Sequence, residues 1–134
     1  MTTVSGNIVL GDYIDVAELR IRAMALAAAC GLSRSHQGLV ALAVTDVGVF
    51  AIQHADRLAV ELFVEDEDAA APYLMVVVRD TDVPATEHKA VSQPSGHDFG
   101  LMLAERASER FSVQGEATTG MTVTMGWALE PTVG

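Results

Sequence analysis

The sequence predicts an α+β two-layer sandwich, with three helices on one face of a mixed, mostly antiparallel sheet. Three observations lead there. Two long stretches of helical periodicity follow one another near the start, from Tyr13 to Cys30 and from about Ser35 to Ala55. The run Tyr73 to Val78, YLMVVV, is continuously apolar and β-rich, the mark of a central strand buried on both faces. Helices and strands do not alternate singly, which argues against a doubly wound α/β fold. The expected order is β-α-α-β-β-α-β-β in one domain spanning residues 1–134.

Each element has a local reason. Asn7 to Leu10 is a short apolar run before Gly11-Asp12 and reads as the first strand. Asp15 followed by Glu18 has the spacing of a capping box. Val16, Leu19, Ala23, Leu26, Ala27 and Cys30 then repeat at helical intervals, with Arg20 and Arg22 on the wetter side. Gly31 stands where a left-handed cap is wanted. Ser33-Arg34-Ser35 offers caps for the second helix. Gly48 within it lowers helix propensity by roughly 1 kcal/mol relative to alanine. It reads equally as a close approach of another backbone or as simple tolerance.

Leu58 to Val64 alternates as a strand with Glu61 outward. Glu65 to Asp68 makes an acidic turn without the glycine of a calcium loop. The stretch from Thr86 to Pro94 is polar and aperiodic, a loop or lid. A third helix is expected over Leu101 to Glu109, then strands at Phe111 to Gln114 and Met121 to Leu129, with a turn at Glu116 to Gly120.

Composition narrows the function classes. The 134 residues suffice for one domain with a real core. Eighteen acids against eight bases give a formal net charge of -10, which repels phosphate backbones and anionic membrane surfaces. A lone cysteine, Cys30, cannot form an internal disulfide and fits a reducing compartment. The N-terminus lacks a basic segment ahead of its apolar residues, and no apolar run reads as long enough to span a bilayer. A cytoplasmic location is expected. His36, His54, His88 and His97 lack metal-ligand spacing, so no metal is expected. Trp127 reads as packing rather than as a binding platform.

Candidate chemistry begins with Asp46, a single carboxylate in the otherwise apolar Leu39 to Ala55 stretch. A carboxylate there needs a partner or a task. A structural pairing with Arg79 or a backbone amide and a vestigial catalytic role carry equal weight. Asp80, closing the central strand, reads as a turn residue as readily as a ligand.

The frame Ala43-Val44-Thr45-Asp46-Val47-Gly48-Val49-Phe50-Ala51-Ile52-Gln53-His54-Ala55, then Asp80-Thr81-Asp82-Val83-Pro84, then Gly96-His97-Asp98-Phe99-Gly100-Leu101, carries a resemblance. In order and spacing the chain resembles the ATP-binding Bergerat fold shared by gyrase, Hsp90, histidine kinases and MutL. It looks most like the small serine kinases and anti-sigma factors of bacterial partner switching. The resemblance covers Asn7 to Leu129 and implies roles by position. Asp46 falls on the family glutamate that polarises the attacking group, and Phe50 on the asparagine that holds magnesium. Asp80 falls on the aspartate that reads adenine, with Asp82 and Pro84 on the following glycines. Gly96, Asp98, Gly100 and Leu101 occupy the phosphate-cradling segment. Leu103 to Arg106, Phe111 to Trp127 and Gly120 follow the family pattern.

Several of these positions depart from what nucleotide chemistry needs. A phenyl ring has no lone pair for magnesium, which demands oxygen ligands. Aspartate is one methylene shorter than glutamate. Asp98 beside a triphosphate costs about 4 kcal/mol at ~4 Å and an effective dielectric near ~20, before screening. The expectation is a degenerate regulator that works by protein-protein binding, with ATP binding lost or weakened. Its partner would be a STAS-domain antagonist, a sigma factor or a related regulator, and a homodimer is plausible. The alternative is an active ATP-dependent serine kinase with Asp46 as base and Asp80 reading adenine. A third reading refills the cleft with Phe50 and Phe99 and leaves a plain interaction module.

Overall fold

A computed structural model describes residues 2–54, 58–65, 72–80, 101–116 and 120–129. Five strands and three helices stand among them, in the order β1 (Thr2–Leu10), α1 (Tyr13–Ala29), α2 (Arg34–His54), β2 (Leu58–Glu65), β3 (Tyr73–Asp80), α3 (Met102–Ala107), β4 (Arg110–Glu116) and β5 (Gly120–Ala128). The sheet order is β1-β2-β3-β5-β4. The expected α+β architecture holds.

The mixed component of the sheet does not. Every described pairing is antiparallel. Two helices in series between β1 and β2 return the chain to the end where β1 finished, so β2 runs back along it. The α3 crossover makes β4 run in the direction of β3. The hairpin strand β5 inserts between them, so no parallel pair ever shares hydrogen bonds.

Period-two alternation places one set of residues from every strand on the covered face. A single rung crosses the whole sheet: Ile8 faces Val60, Val60 faces Val78, Val78 faces Val123, and Val123 faces Val113. All five are buried. They form one core with Leu19, Ala23 and Ala27 of α1, Val40, Ala43, Val44, Val47 and Ala51 of α2, and Ala104 and Ala107 of α3. With the helices all on this face, the other side of the sheet stays open, as antiparallel sheets allow. Leu74, Val76 and Val78 of the central strand are sealed inside; on its other side Met75 is buried too, at 5% exposed, flanked by half-buried Tyr73 and Val77, so burial on both faces holds at the middle of the strand and weakens on either side. Arg110 lies over the Tyr73 ring at 3.7 Å, and Arg79 pairs with Glu61 at 2.9 Å across that open surface.

Local signals shift in places. The α1 capping box is built on Asp12 and Asp15, one turn earlier than Asp15 and Glu18 suggest: the Asp15 carboxylate accepts the Asp12 amide at 3.0 Å. The helix start matches, because Asp12 has the extended backbone an N-cap requires. Ser33 caps α2 by accepting the His36 amide at 3.2 Å. The strand β1 reaches back to Thr2, with an irregularity between Val4 and Gly6. One membrane reading needs correction. Arg34–Gln53 is by length and composition long and apolar enough to cross a bilayer, with hydropathy 1.4. Its apolarity is explained by the core face it buries and by the close approach of α1 described below. Asp66 to Asp68 and the Thr86 to Pro94 loop lie outside the described residues.

Candidate functional site

The site is read from α2 outward. Asp46 and Phe50 are four residues apart and share one side of the helix. Both are half-buried. The Asp46 carboxylate, through Oδ2, accepts the backbone N–H of Ala104 at 3.0 Å, across a chain separation of 58 residues. Ala104 is the third residue of α3. Its amide is one of those an N-cap side chain ordinarily satisfies. Leu101, at the N-cap position, provides no side-chain hydrogen bond. Asp46 thus supplies from a neighbouring helix the acceptor that α3 lacks locally. Of the two structural pairings open to Asp46, the backbone amide is the one found. Arg79 is instead engaged by Glu61.

This assignment carries a stability prediction. Asp46→Ala should lower stability by about 1–2 kcal/mol, the usual loss for a helix cap. Asp46→Asn keeps an acceptor and should lose less. Urea midpoints for the two variants test it. An alanine variant as stable as the parent would remove the capping role.

One turn on, Phe50 packs against the core. Thr45, adjacent to Asp46, spends its hydroxyl on the Ala41 carbonyl at 2.7 Å. Leu101, fully buried, belongs to the core. Asp80 closes β3, where its backbone pairs with Leu58. The structure therefore brings Asp46, Phe50 and the start of α3 together. Asp82, Pro84, Gly96, Asp98 and Gly100 lie outside the described residues, as does Phe99.

Of two further features of the surroundings, the tryptophan bond had no sequence signal, while the close contact at Gly48 matches one of the two readings of that glycine, with a side chain rather than a backbone as the neighbour. Trp127 Nε1–H donates to the Ala107 carbonyl at 2.8 Å, tying the far end of α3 to β5. Gly48 sits where an added Cβ would fall 2.8 Å from Val16 Cγ1, so α1 and α2 meet there at close range. Cys30, at the end of α1, has its thiol pushed above the usual range by burial. It stays protonated at neutral pH, as a small hydrophobe should.

A helix pair and a short third helix over an antiparallel sheet, with a carboxylate on the second helix reaching the third, define an ATPase-like α+β domain. The chain belongs to the histidine kinase-like ATPase domain family, whose model matches residues 11–127. No individual curated protein matches the chain.

Proposed function

We propose that this protein is a regulatory member of the family that works by binding another protein, with Mg-ATP binding lost or much weakened. The observation that carries the reading is Phe50. It is packed half-buried against the core at the position the resemblance assigns to the magnesium ligand. An aromatic ring supplies no oxygen to a hard cation. The Asp46 carboxylate, one turn before it, is already engaged in holding α3. The partner class that fits is a cytoplasmic regulator of the partner-switching type, a STAS-domain antagonist or a sigma factor. Isothermal titration with Mg-ATP and Mg-ADP tests the reading. No heat of binding at millimolar nucleotide is expected, and a micromolar dissociation constant for either would overturn it.

Family membership itself favours a second reading, an active protein-serine kinase with Asp46 as base. In that reaction Asp46 would act through Oδ1, since Oδ2 accepts the Ala104 amide. Labelled ATP with a STAS-domain protein should then give phosphate transfer that Asp46→Asn abolishes.

A further inference from the structure

The two edges of the sheet are built differently. The strand β4 ends one side with seven residues, and its sequence RFSVQGE carries a charge at each end. The strand β1 ends the other side with nine, TTVSGNIVL, without a charged residue or a proline. Charges, prolines and short length are what ordinarily keep an edge from recruiting a further strand. Among the described residues no strand pairs along the outer side of β1. Its register with β2 is unbroken from Gly6 opposite Leu62 to Leu10 opposite Leu58, which leaves a regular template for pairing.

Beside this edge lies a groove of about 380 Å³, lined by Arg22, Ala25, Leu26 and Ala29 of α1 and by Leu62 of β2. That volume is at the small end of ligand clefts. The sequence leaves the space free at two points. Gly6 stands opposite Leu62 without a side chain, and Ala25 and Ala29, four apart on one side of α1, are small and exposed. Directly paired residues share one face of a sheet. A residue added opposite Gly6 therefore projects its side chain onto the helix-covered face, into the groove against Leu62. Arg22 sets a second preference. The helix runs back along β1 from the short turn at Gly11-Asp12, so Arg22 lies one turn, ~6 Å, from Leu26 toward the Leu10 end. An acid two places along an extended peptide, ~6.6 Å away, comes beside it. Glu18 takes one of the five N–H donors of the Arg22 guanidinium, at 2.8 Å, with both groups half-exposed. From Leu19 to Thr45 the chain carries Arg20, Arg22 and Arg34 and no acid, within a protein of net charge -10. We infer that β1 and α1 together form a docking site for an extended segment of another protein, which adds as a further strand, buries a bulky aliphatic side chain against Leu62 and presents a carboxylate to Arg22. Main-chain bonds along an edge, with a pocket for alternate side chains, are a general mode of peptide recognition.

The site rests on the protein-binding reading above and gives it a surface, but it is tested with peptides and no nucleotide, so the two fail separately. The full chain is panned against a displayed library of random peptides of about nine residues, long enough to cover the template. Enriched peptides are then titrated by fluorescence anisotropy. They should share a Leu, Ile, Val or Met with an Asp or Glu two places away, and bind in the micromolar range. Ala25→Glu and Ala29→Trp, both at exposed positions, should weaken them on the order of tenfold with unchanged circular dichroism. Arg22→Glu should weaken an acidic peptide by a similar factor, and should bind better the same peptide with its acid changed to arginine. Methylating the peptide nitrogens at alternate positions should abolish binding in one phase and spare it in the other. Amide exchange on binding should slow along β1 and not along β4. No enrichment, peptides whose binding ignores the groove variants, or protection of β1 that appears without peptide as protein concentration rises would overturn the proposal.

Discussion

Replacing Trp127 with alanine is expected to destabilise the protein by roughly 3–5 kcal/mol, the range for deleting a large buried aromatic. Against a typical total of about 5–15 kcal/mol, that is a large fraction. Two contributions add. The indole is fully buried, opposite Leu74 of the central strand, so its loss opens a cavity next to the middle of the sheet. Its Nε1–H also satisfies the carbonyl of Ala107, the last residue of α3. That carbonyl is one of the acceptors a helix end leaves without a partner inside the helix. Trp127→Phe separates the two. It keeps most of the apolar volume but removes the donor, and should lose about 1–3 kcal/mol. Trp127 is the sole tryptophan, so unfolding is followed by far-ultraviolet circular dichroism rather than by fluorescence. An alanine variant within ~1 kcal/mol of the parent would show that the site collapses around the loss.

The reason α3 is held so firmly lies in its length. Six residues are too few to stay helical on their own. Asp46 holds its first turn and Trp127 its last carbonyl, from α2 and β5 respectively. A short helix tied at both ends is a fixed element. The carboxylate that the resemblance marks as a base is thus also part of the scaffold. The bond to the Ala104 amide gives an acid at position 46 a task in the fold itself. It says less about a retained reaction.

Most of the fold was legible because its signals are periodic and local. The helical spacing from Val16 to Cys30, the alternation from Leu58 to Val64 and the run YLMVVV each report burial through one repeat. Sheet pairing was less legible. Whether β4 lies beside β3 or beyond β5 depends on which strand fills the gap, and no local pattern encodes that. The Asp46 to Ala104 bond was legible only as one of two structural options, because a backbone amide leaves no mark on the residue type that provides it. Alanine at position 104 advertises nothing. The same holds for the partner of Trp127. The outer face of α1 was legible only through Arg20 and Arg22, both exposed. Its inward and outward residues are both apolar, so periodicity identified the buried side and left Ile14 and Ile21 unexplained.

Gly48 is where local propensity and tertiary packing point in opposite directions. In an exposed helix, Gly48→Ala would stabilise by roughly 1 kcal/mol. Here the new Cβ would lie 2.8 Å from Val16 Cγ1 and 3.1 Å from Cγ2. Valine is stiff about χ1, and Val16 is 95% buried, so it cannot swing aside. Overpacking of this kind costs about 1–3 kcal/mol, which cancels or exceeds the propensity gain. Gly48→Val adds two more methyl groups at the same contact and should lose about 3 kcal/mol or more. The effect need not stay local, since forcing α1 and α2 apart shifts the helix that carries Asp46 and so strains the bond to Ala104. Val16→Ala opens the space that Gly48→Ala needs. The double variant should therefore be more stable than the sum of the single losses implies, with a coupling of about 1–3 kcal/mol in a double-mutant cycle. Strictly additive losses would mean that the two helices adjust their spacing freely, and that glycine at position 48 is tolerated rather than required.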